Sequence, residues 1–135
     1  MNRKIQDVEG VGKKYAEMLG RAGVTHTDQL LARGGSAKGR DELAEQSGIS
    51  EKLILKWVNM CDLFRVKGVA GQYAELLEAA GVDTVKELRN RNAENLAEKM
   101  RELNKEKDLV RTVPGLKSVE SWIEQAGKLD PAVHY

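Results

Sequence analysis

The chain has 135 residues, of which 41% are hydrophobic, and its 22 Lys and Arg residues nearly balance its 21 Asp and Glu residues. This length is sufficient to bury a core, either as one domain or as two small packed units. No apolar run reaches the roughly 18 residues that a membrane span needs, and the N-terminus leads into no apolar signal segment. A single cysteine excludes an internal disulfide framework. We therefore expect a cytoplasmic protein without membrane contact.

A stretch of 23 residues occurs twice in the chain. Residues 8–30 and 66–88 align without a gap at an offset of 58, and 11 of the 23 positions are identical. Each copy contains a glycine turn, a short amphipathic segment and a second glycine. A repeat of this kind predicts two similar structural units rather than one irregular fold.

The apolar residues recur at helical spacing along nearly the whole chain, and no segment alternates as a strand would. Helices are predicted over residues 12–22, 28–33, 38–46, 51–64, 71–80, 84–89, 93–107 and 118–126. Gly23 should stop the first helix, and Thr27 should cap the second. The fourth helix is apolar over a wide arc, which we interpret as a central helix shared by two compact units.

The repeat and the predicted helices divide the chain into three parts. Residues 1–64 form the first helical unit, residues 65–129 form the second, and residues 130–135 form a loose tail. The first unit contains ten Lys and Arg against nine Asp and Glu, and the remainder contains twelve of each. Because neither half is strongly basic, any contact with nucleic acid must be local.

The first glycine turn has the features of an anion site. Gly10 permits the positive φ of a tight turn, Val11 points to the core, and Gly12 lets a partner approach the backbone. The helix that follows begins with free N–H groups at the positive end of its dipole. Lys13 and Lys14 add two charges beside these donors, so the turn is suited to hold a phosphate.

The spacing of this segment resembles the helix–hairpin–helix motif, whose fixed positions are an apolar residue, Gly, an aliphatic residue, Gly, Ala and Leu. These positions are occupied by Val8, Gly10, Val11, Gly12, Ala16 and Leu19. In that superfamily the turn holds one phosphate of a DNA backbone without reading sequence. As a whole, residues 5–129 resemble a bacterial family of tandem helix–hairpin–helix proteins whose function is not established. The resemblance implies an all-α fold with two two-hairpin units.

The other turns match the motif less well. In the second copy, Ala70 occupies the position of the second glycine, and Gly71 and Gln72 replace the two lysines. This turn is interpreted as structural, and phosphate binding there stays open. Residues 48–51 resemble a degenerate third turn, and residues 113–118 resemble the opening of a fourth.

The sequence has no recognisable catalytic or metal-binding constellation. It contains two histidines and one cysteine, with no metal-ligand spacing. It also has no nucleophile elbow, no phosphate-binding loop ending in Gly-Lys-Ser/Thr and no dinucleotide fingerprint. Cys61 and Trp57 lie on apolar stripes and are expected in the core, and His26 is expected at a helix cap or on the surface. We therefore predict no enzyme activity, no cofactor and no metal.

Two functions are compatible with these patterns. The first is a non-catalytic module that binds double-stranded DNA through its phosphates without sequence preference. Its candidate phosphate-binding residues are Gly10, Val11, Gly12, Lys13, Lys14 and Arg21. A candidate second basic patch has six positive and three negative charges between residues 99 and 117, and its basic residues are Lys99, Arg101, Lys105, Lys107, Arg111 and Lys117. The alternative is a protein–protein interaction or scaffold module, which the balanced charge and the acidic second copy favour.

Overall fold

A computed structural model describes residues 2–135, and within this range the chain is helical and has no strand. A 3₁₀ turn, Ile5–Asp7, precedes the first helix, and Lys4 pairs with His26 in an isolated antiparallel bridge. The prediction of an all-α fold is confirmed. The eight helices are α1 Gly12–Arg21, α2 Thr27–Gly34, α3 Ala37–Ser47, α4 Glu51–Leu63, α5 Gly71–Ala79, α6 Val85–Leu88, α7 Ala93–Lys107 and α8 Leu116–Gly127.

The helices form two compact units. The first unit runs to Asp62 and includes Ala132–Tyr135, and the second is Leu63–Pro131. The boundary between the units falls at the end of α4, two residues before the boundary predicted between residues 64 and 65.

Each helix of the first unit contributes to a common core. Fully buried residues from α1 to α4 are Leu19, Leu30, Leu43 and Ile54. Trp57 of α4 is also buried, at 1% exposure, and its ring centroid lies 5.1 Å from that of Tyr15. Such a tilted aromatic pair adds to the burial of apolar surface that holds these helices together.

The second unit is built in the same way. Fully buried residues from α5 to α8 are Leu77, Leu88, Met100 and Val119. Trp122 of α8 is buried at 4% exposure, and its ring centroid lies 5.5 Å from that of Tyr73. The Tyr73 hydroxyl donates a hydrogen bond to the Thr112 carbonyl at 3.0 Å. Each unit therefore pairs a tyrosine of the repeat with a buried tryptophan of its last helix.

The two copies of the repeat also form matching hydrogen bonds. In each copy, an arginine donates a hydrogen bond to the carbonyl of the residue that follows the first helix. Arg33 donates to Ala22 after α1, and Arg91 donates to Ala80 after α5. Cations are favourable at this end of a helix because they satisfy its free carbonyls. Arg33 and Arg91 are also 58 positions apart, so the structural repeat extends past the aligned residues 8–30 and 66–88. Matching backbone bonds are Val11 to Val8 and Val69 to Val66, and Val24 to Leu19 and Val82 to Leu77.

The start of α2 differs from the sequence prediction. Thr27 is the first helical residue instead of the cap, and His26 occupies the cap position. The Thr27 hydroxyl accepts a hydrogen bond from the Arg3 N–H at 3.0 Å, so the N-terminal segment uses the oxygen that was expected to cap the helix. The side chain of Gln29 accepts the His26 N–H at 3.1 Å instead.

The C-terminal tail also differs from the prediction, because its last residues pack in the first unit. Arg40 is only 5% exposed, and its guanidinium donates to the Gly34 carbonyl at 2.9 Å and to the His134 carbonyl at 2.8 Å. The His134 N–H in turn donates to the Gly35 carbonyl at 2.6 Å. A buried guanidinium requires acceptors, and the tail backbone supplies one of them.

Replacing Arg40 with lysine should lower the free energy of unfolding by about 2 kcal/mol, because an ammonium keeps the charge but cannot serve all of these carbonyls. Chemical denaturation followed by tryptophan fluorescence measures the change. Arg111→Lys, at an exposed position, is the matched control and should change the stability by less than about 0.5 kcal/mol. Equal stability of Arg40→Lys and the parent would exclude the guanidinium as the anchor of the tail.

Candidate functional site

The first glycine turn has two residues in the left-handed region of backbone conformation. The φ angles are +87° at Gly10 and +64° at Gly12, and Val11 between them is 2% exposed. A Cβ on Gly10 would lie 3.6 Å from Nε1 of Trp57, whereas a Cβ on Gly12 would meet no atom within 4 Å. Gly12 is therefore required by backbone conformation rather than by packing, and the surface beside it is open.

The backbone donors that follow this turn have no acceptor within residues 2–135. The Val11 N–H donates to the Val8 carbonyl at 3.1 Å, but the N–H groups of Gly12, Lys13 and Lys14 have no acceptor in this range. No side chain caps α1, and both lysines are exposed. The N-terminal end of α1 thus presents three free donors next to two ammonium groups, which is a favourable environment for an anion.

Arg21 does not share this site. It lies in the last turn of α1 and is exposed. At about 1.5 Å per residue, it is roughly 12 Å along the helix axis from Lys13. The structure therefore brings together five of the six candidate phosphate-binding residues and leaves Arg21 at the opposite end of the helix.

The second glycine turn repeats the buried side of the first turn but not its exposed side. Gly68 has φ +99°, and its Cβ position lies 3.1 Å from Nε1 of Trp122. Ala70, however, has an extended conformation with φ −93°, and α5 then begins with Gly71 and Gln72. The free N–H groups at this end have no lysine beside them within the first turn.

The six residues of the candidate basic patch do not form one surface. Helical geometry places Arg101 and Lys105 on one face of α7, and Lys99 and Lys107 on another. Arg101 also shares a cavity with Glu94, which lowers the net positive charge of that face. The other two basic residues lie outside α7, Arg111 in the connection to α8 and Lys117 in the first turn of α8.

Lys4 and Thr25 are not among the candidate site residues that the sequence predicts. Both line a cavity of about 360 Å³ that also includes Lys13 and His26. The repeat contained a signal that could have found them, because the residues 58 positions later are acidic, Asp62 and Asp83.

The residues that the structure describes offer little for metal binding, for crossing a membrane or for thiol chemistry. No group of three or more His, Cys, Asp or Glu residues in residues 2–135 could hold a metal ion. No helix in the same range is long and apolar enough to cross a membrane. Cys61 is buried, and burial raises the pKa of its thiol from 9.0 to about 12. The thiol is therefore protonated and unreactive in the folded protein.

Gly12→Ala should lower the free energy of unfolding by about 1 kcal/mol, because alanine is strained at this positive φ but meets no neighbouring atom. Chemical denaturation measures the change. Gly12→Asn should cost less, since asparagine tolerates the left-handed region better than alanine does. Full stability of Gly12→Ala would mean that the turn does not need this conformation.

The raised pKa of Cys61 should make the protein less stable above about pH 9. The unfolded thiol ionises above its ordinary pKa of 9.0, whereas the folded thiol keeps its proton up to about pH 12. This difference removes up to about 1.4 kcal/mol of stability per pH unit between these values. Urea denaturation at several pH values measures the loss. Cys61→Ala should lack this component, and identical pH slopes for variant and parent would contradict the assignment.

Comparison of the chain with known proteins identifies a family that it matches. No solved structure matches the chain. A family described as a domain of unknown function, DUF4332, matches residues 9–129, which include both glycine turns and all eight helices. The chain therefore belongs to the DUF4332 family.

Proposed function

We propose that this protein is a non-catalytic, cytoplasmic module of tandem helix–hairpin–helix units that binds double-stranded DNA through its phosphates without sequence preference. One observation carries the proposal. The N–H groups of Gly12, Lys13 and Lys14 have no acceptor within residues 2–135, and they lie beside two exposed lysine side chains. Backbone donors at a helix N-terminus form a suitable binding site for a phosphate.

Free N–H groups at a helix start are common, so the neighbours of these groups decide their use. The start of α4 uses its own cap, because the Ser50 hydroxyl accepts the Leu53 N–H at 3.3 Å. The start of α7 is capped by Asn92, which accepts the Asn95 N–H at 3.0 Å. The start of α1 has no side-chain cap and carries two cations. This combination supports α1 as the phosphate contact.

The same chemistry supports binding without sequence preference. Backbone amides and lysines contact phosphate oxygens, which are alike at every base pair. With roughly three to five phosphate contacts, log K should fall with log salt at a slope of about −2.7 to −4.5. Affinity should therefore be modest and strongly dependent on salt.

A protein-interaction or scaffold function is the second candidate. Leu116 is 43% exposed at the start of α8, beside a cavity of about 390 Å³ that also includes Val113 and Pro114. Apolar side chains at a surface cavity favour contact with another protein. A single exposed leucine is nevertheless normal on a soluble protein. For this reason the first glycine turn carries more weight.

The double variant Lys13→Glu/Lys14→Glu tests the DNA proposal. Its affinity for hydroxyl-ended duplex DNA should fall at least about tenfold, and the salt slope should decrease by about two units, because two phosphate-facing charges are reversed. Fluorescence anisotropy with two duplexes of unrelated sequence at two salt concentrations measures both quantities. The two duplexes should bind equally.

Lys52→Glu/Lys56→Glu is the matched control, because it reverses two exposed lysines on α4 of the same unit. It should reduce affinity much less than the first double variant. Equal binding by the parent and by Lys13→Glu/Lys14→Glu would remove the first glycine turn from the mechanism. If no duplex bound at low salt and a protein partner were captured through the Leu116 surface, the second candidate would replace the first.

A further inference from the structure

A second group of polar side chains surrounds the cavity beside α1. This cavity has a volume of about 360 Å³, which falls within the range of small-ligand sites. Lys13 and Glu17 line it from α1, and Lys4 and His26, which pair through the isolated bridge, line it from the opposite side. Lys4 and Lys13 form no ion pair within residues 2–135, so their charges are available to a ligand.

Hydrogen bonds fix the imidazole of His26. Oε1 of Gln29 accepts the N–H groups of Thr25 at 2.8 Å and of His26 at 3.1 Å, so this atom is the amide oxygen. The Thr25 hydroxyl lies 3.0 Å from the same oxygen and 2.9 Å from Nδ1 of His26.

This arrangement leaves the other ring nitrogen of His26 for a ligand. Nδ1 faces the Thr25 hydroxyl, so Nε2 is the ring nitrogen that remains for a ligand. Within residues 2–135, Nε2 has no hydrogen-bond partner. An N–H at Nε2 would donate to an oxyanion from a side chain that the Nδ1 contact already orients.

The repeat provides an internal comparison for the cavity. Both copies keep the same turn before the first helix, with the Val8 N–H donating to Ile5 at 3.1 Å and the Val66 N–H to Leu63 at 3.0 Å. Ala16 and Glu17 of the cavity lining are also identical in the second copy. The cationic and neutral donors are replaced there by acidic or shorter residues. The replacements 58 positions later are Lys4 by Asp62, Lys13 by Gly71, Thr25 by Asp83 and His26 by Thr84.

From these observations we propose that the cavity binds a phosphate monoester through Lys4, Lys13 and His26. The donors differ between the two copies while the surrounding frame is retained, so the packing of the frame does not require Lys4, Lys13 or His26. A phosphate at the end of a molecule carries more negative charge than a phosphodiester, so it gains more from the two lysines of the lining. Glu17 is the one acidic residue of the lining, and the two lysines outweigh it.

Two sources could supply this phosphate, a free phosphate and the terminal phosphate of a DNA strand. The second source rests on the proposed function, because the first glycine turn would hold the backbone of the same strand. Lys13 belongs to both places, since its N–H is in the turn and its side chain lines the cavity. The two sources share one chemistry and are separated by experiment.

NMR titration of the full chain with inorganic phosphate tests the cavity itself. The imidazole signals of His26 should shift, and those of His134, the second histidine of the chain, provide an internal reference that should not. Lys4→Gln should weaken the titration about three- to fivefold, as expected for the loss of one partly solvated ion pair. Lys56→Gln removes an exposed lysine of the same unit and should leave the titration unchanged.

Two duplexes that differ only in a terminal phosphate or hydroxyl test the DNA source. The phosphate-ended duplex should bind about three- to fivefold more tightly, and Lys4→Gln and His26→Asn should each bring this ratio towards one. Asparagine places an amide, which can donate or accept, near the position of Nδ1, so His26→Asn preserves the contact with Thr25. Lys13→Glu/Lys14→Glu should weaken binding of both duplexes.

The outcomes separate this inference from the proposed function. If inorganic phosphate shifts His26 and no duplex binds, the cavity site stands with free phosphate as its source and the DNA proposal fails. If both duplexes bind equally and phosphate leaves His26 unchanged, the cavity site is overturned and the DNA proposal stands. A shift of His26 that Lys4→Gln does not weaken would also overturn the site as assigned.

Discussion

The contact between a turn glycine and a buried indole ring organises each unit of this protein. Gly10 lies against Trp57, and Gly68 lies against Trp122, each with a positive φ. The tryptophan comes from the last helix of its unit, so this contact links the start of the repeat to the end of the unit. A side chain would strain the backbone at both glycines, and at Gly68 its Cβ would also crowd the ring. The buried side of both turns is therefore fixed, and only their exposed side is free to differ.

Much of the fold could be predicted because helix packing leaves a periodic pattern in the sequence. Tyr15 and Leu19 recur at helical spacing, and both contribute to the packing of α1. The features of the structure that differ from the sequence prediction depend on contacts between residues far apart in the chain. The cap of α2 changed because the Arg3 N–H occupies the Thr27 hydroxyl, and the tail is ordered by the guanidinium of Arg40. No local pattern records such pairings.

The candidate site likewise contains residues that local sequence predicts and residues that only contacts between distant segments bring together. The spacing of Gly10, Gly12 and Lys13 places the turn and its cations next to each other in the chain, so local sequence was sufficient to find them. The helical rise already implies that Arg21 lies at the far end of α1. Lys4 and His26, in contrast, meet through a bridge between separate segments, and no spacing rule brings them together.

A net charge of only +1 does not oppose a DNA contact of this kind. At physiological ionic strength, charges farther apart than about 8 Å are largely screened, so a phosphate interacts with its immediate neighbours and not with the whole protein. At the first turn those neighbours are free N–H groups, Lys13 and Lys14, whereas the second turn offers Gly71 and Gln72. The protein has thus kept one scaffold in two copies with different local charge. On this physical basis the proposed anion contact depends on the residues of the first turn and not on the total charge.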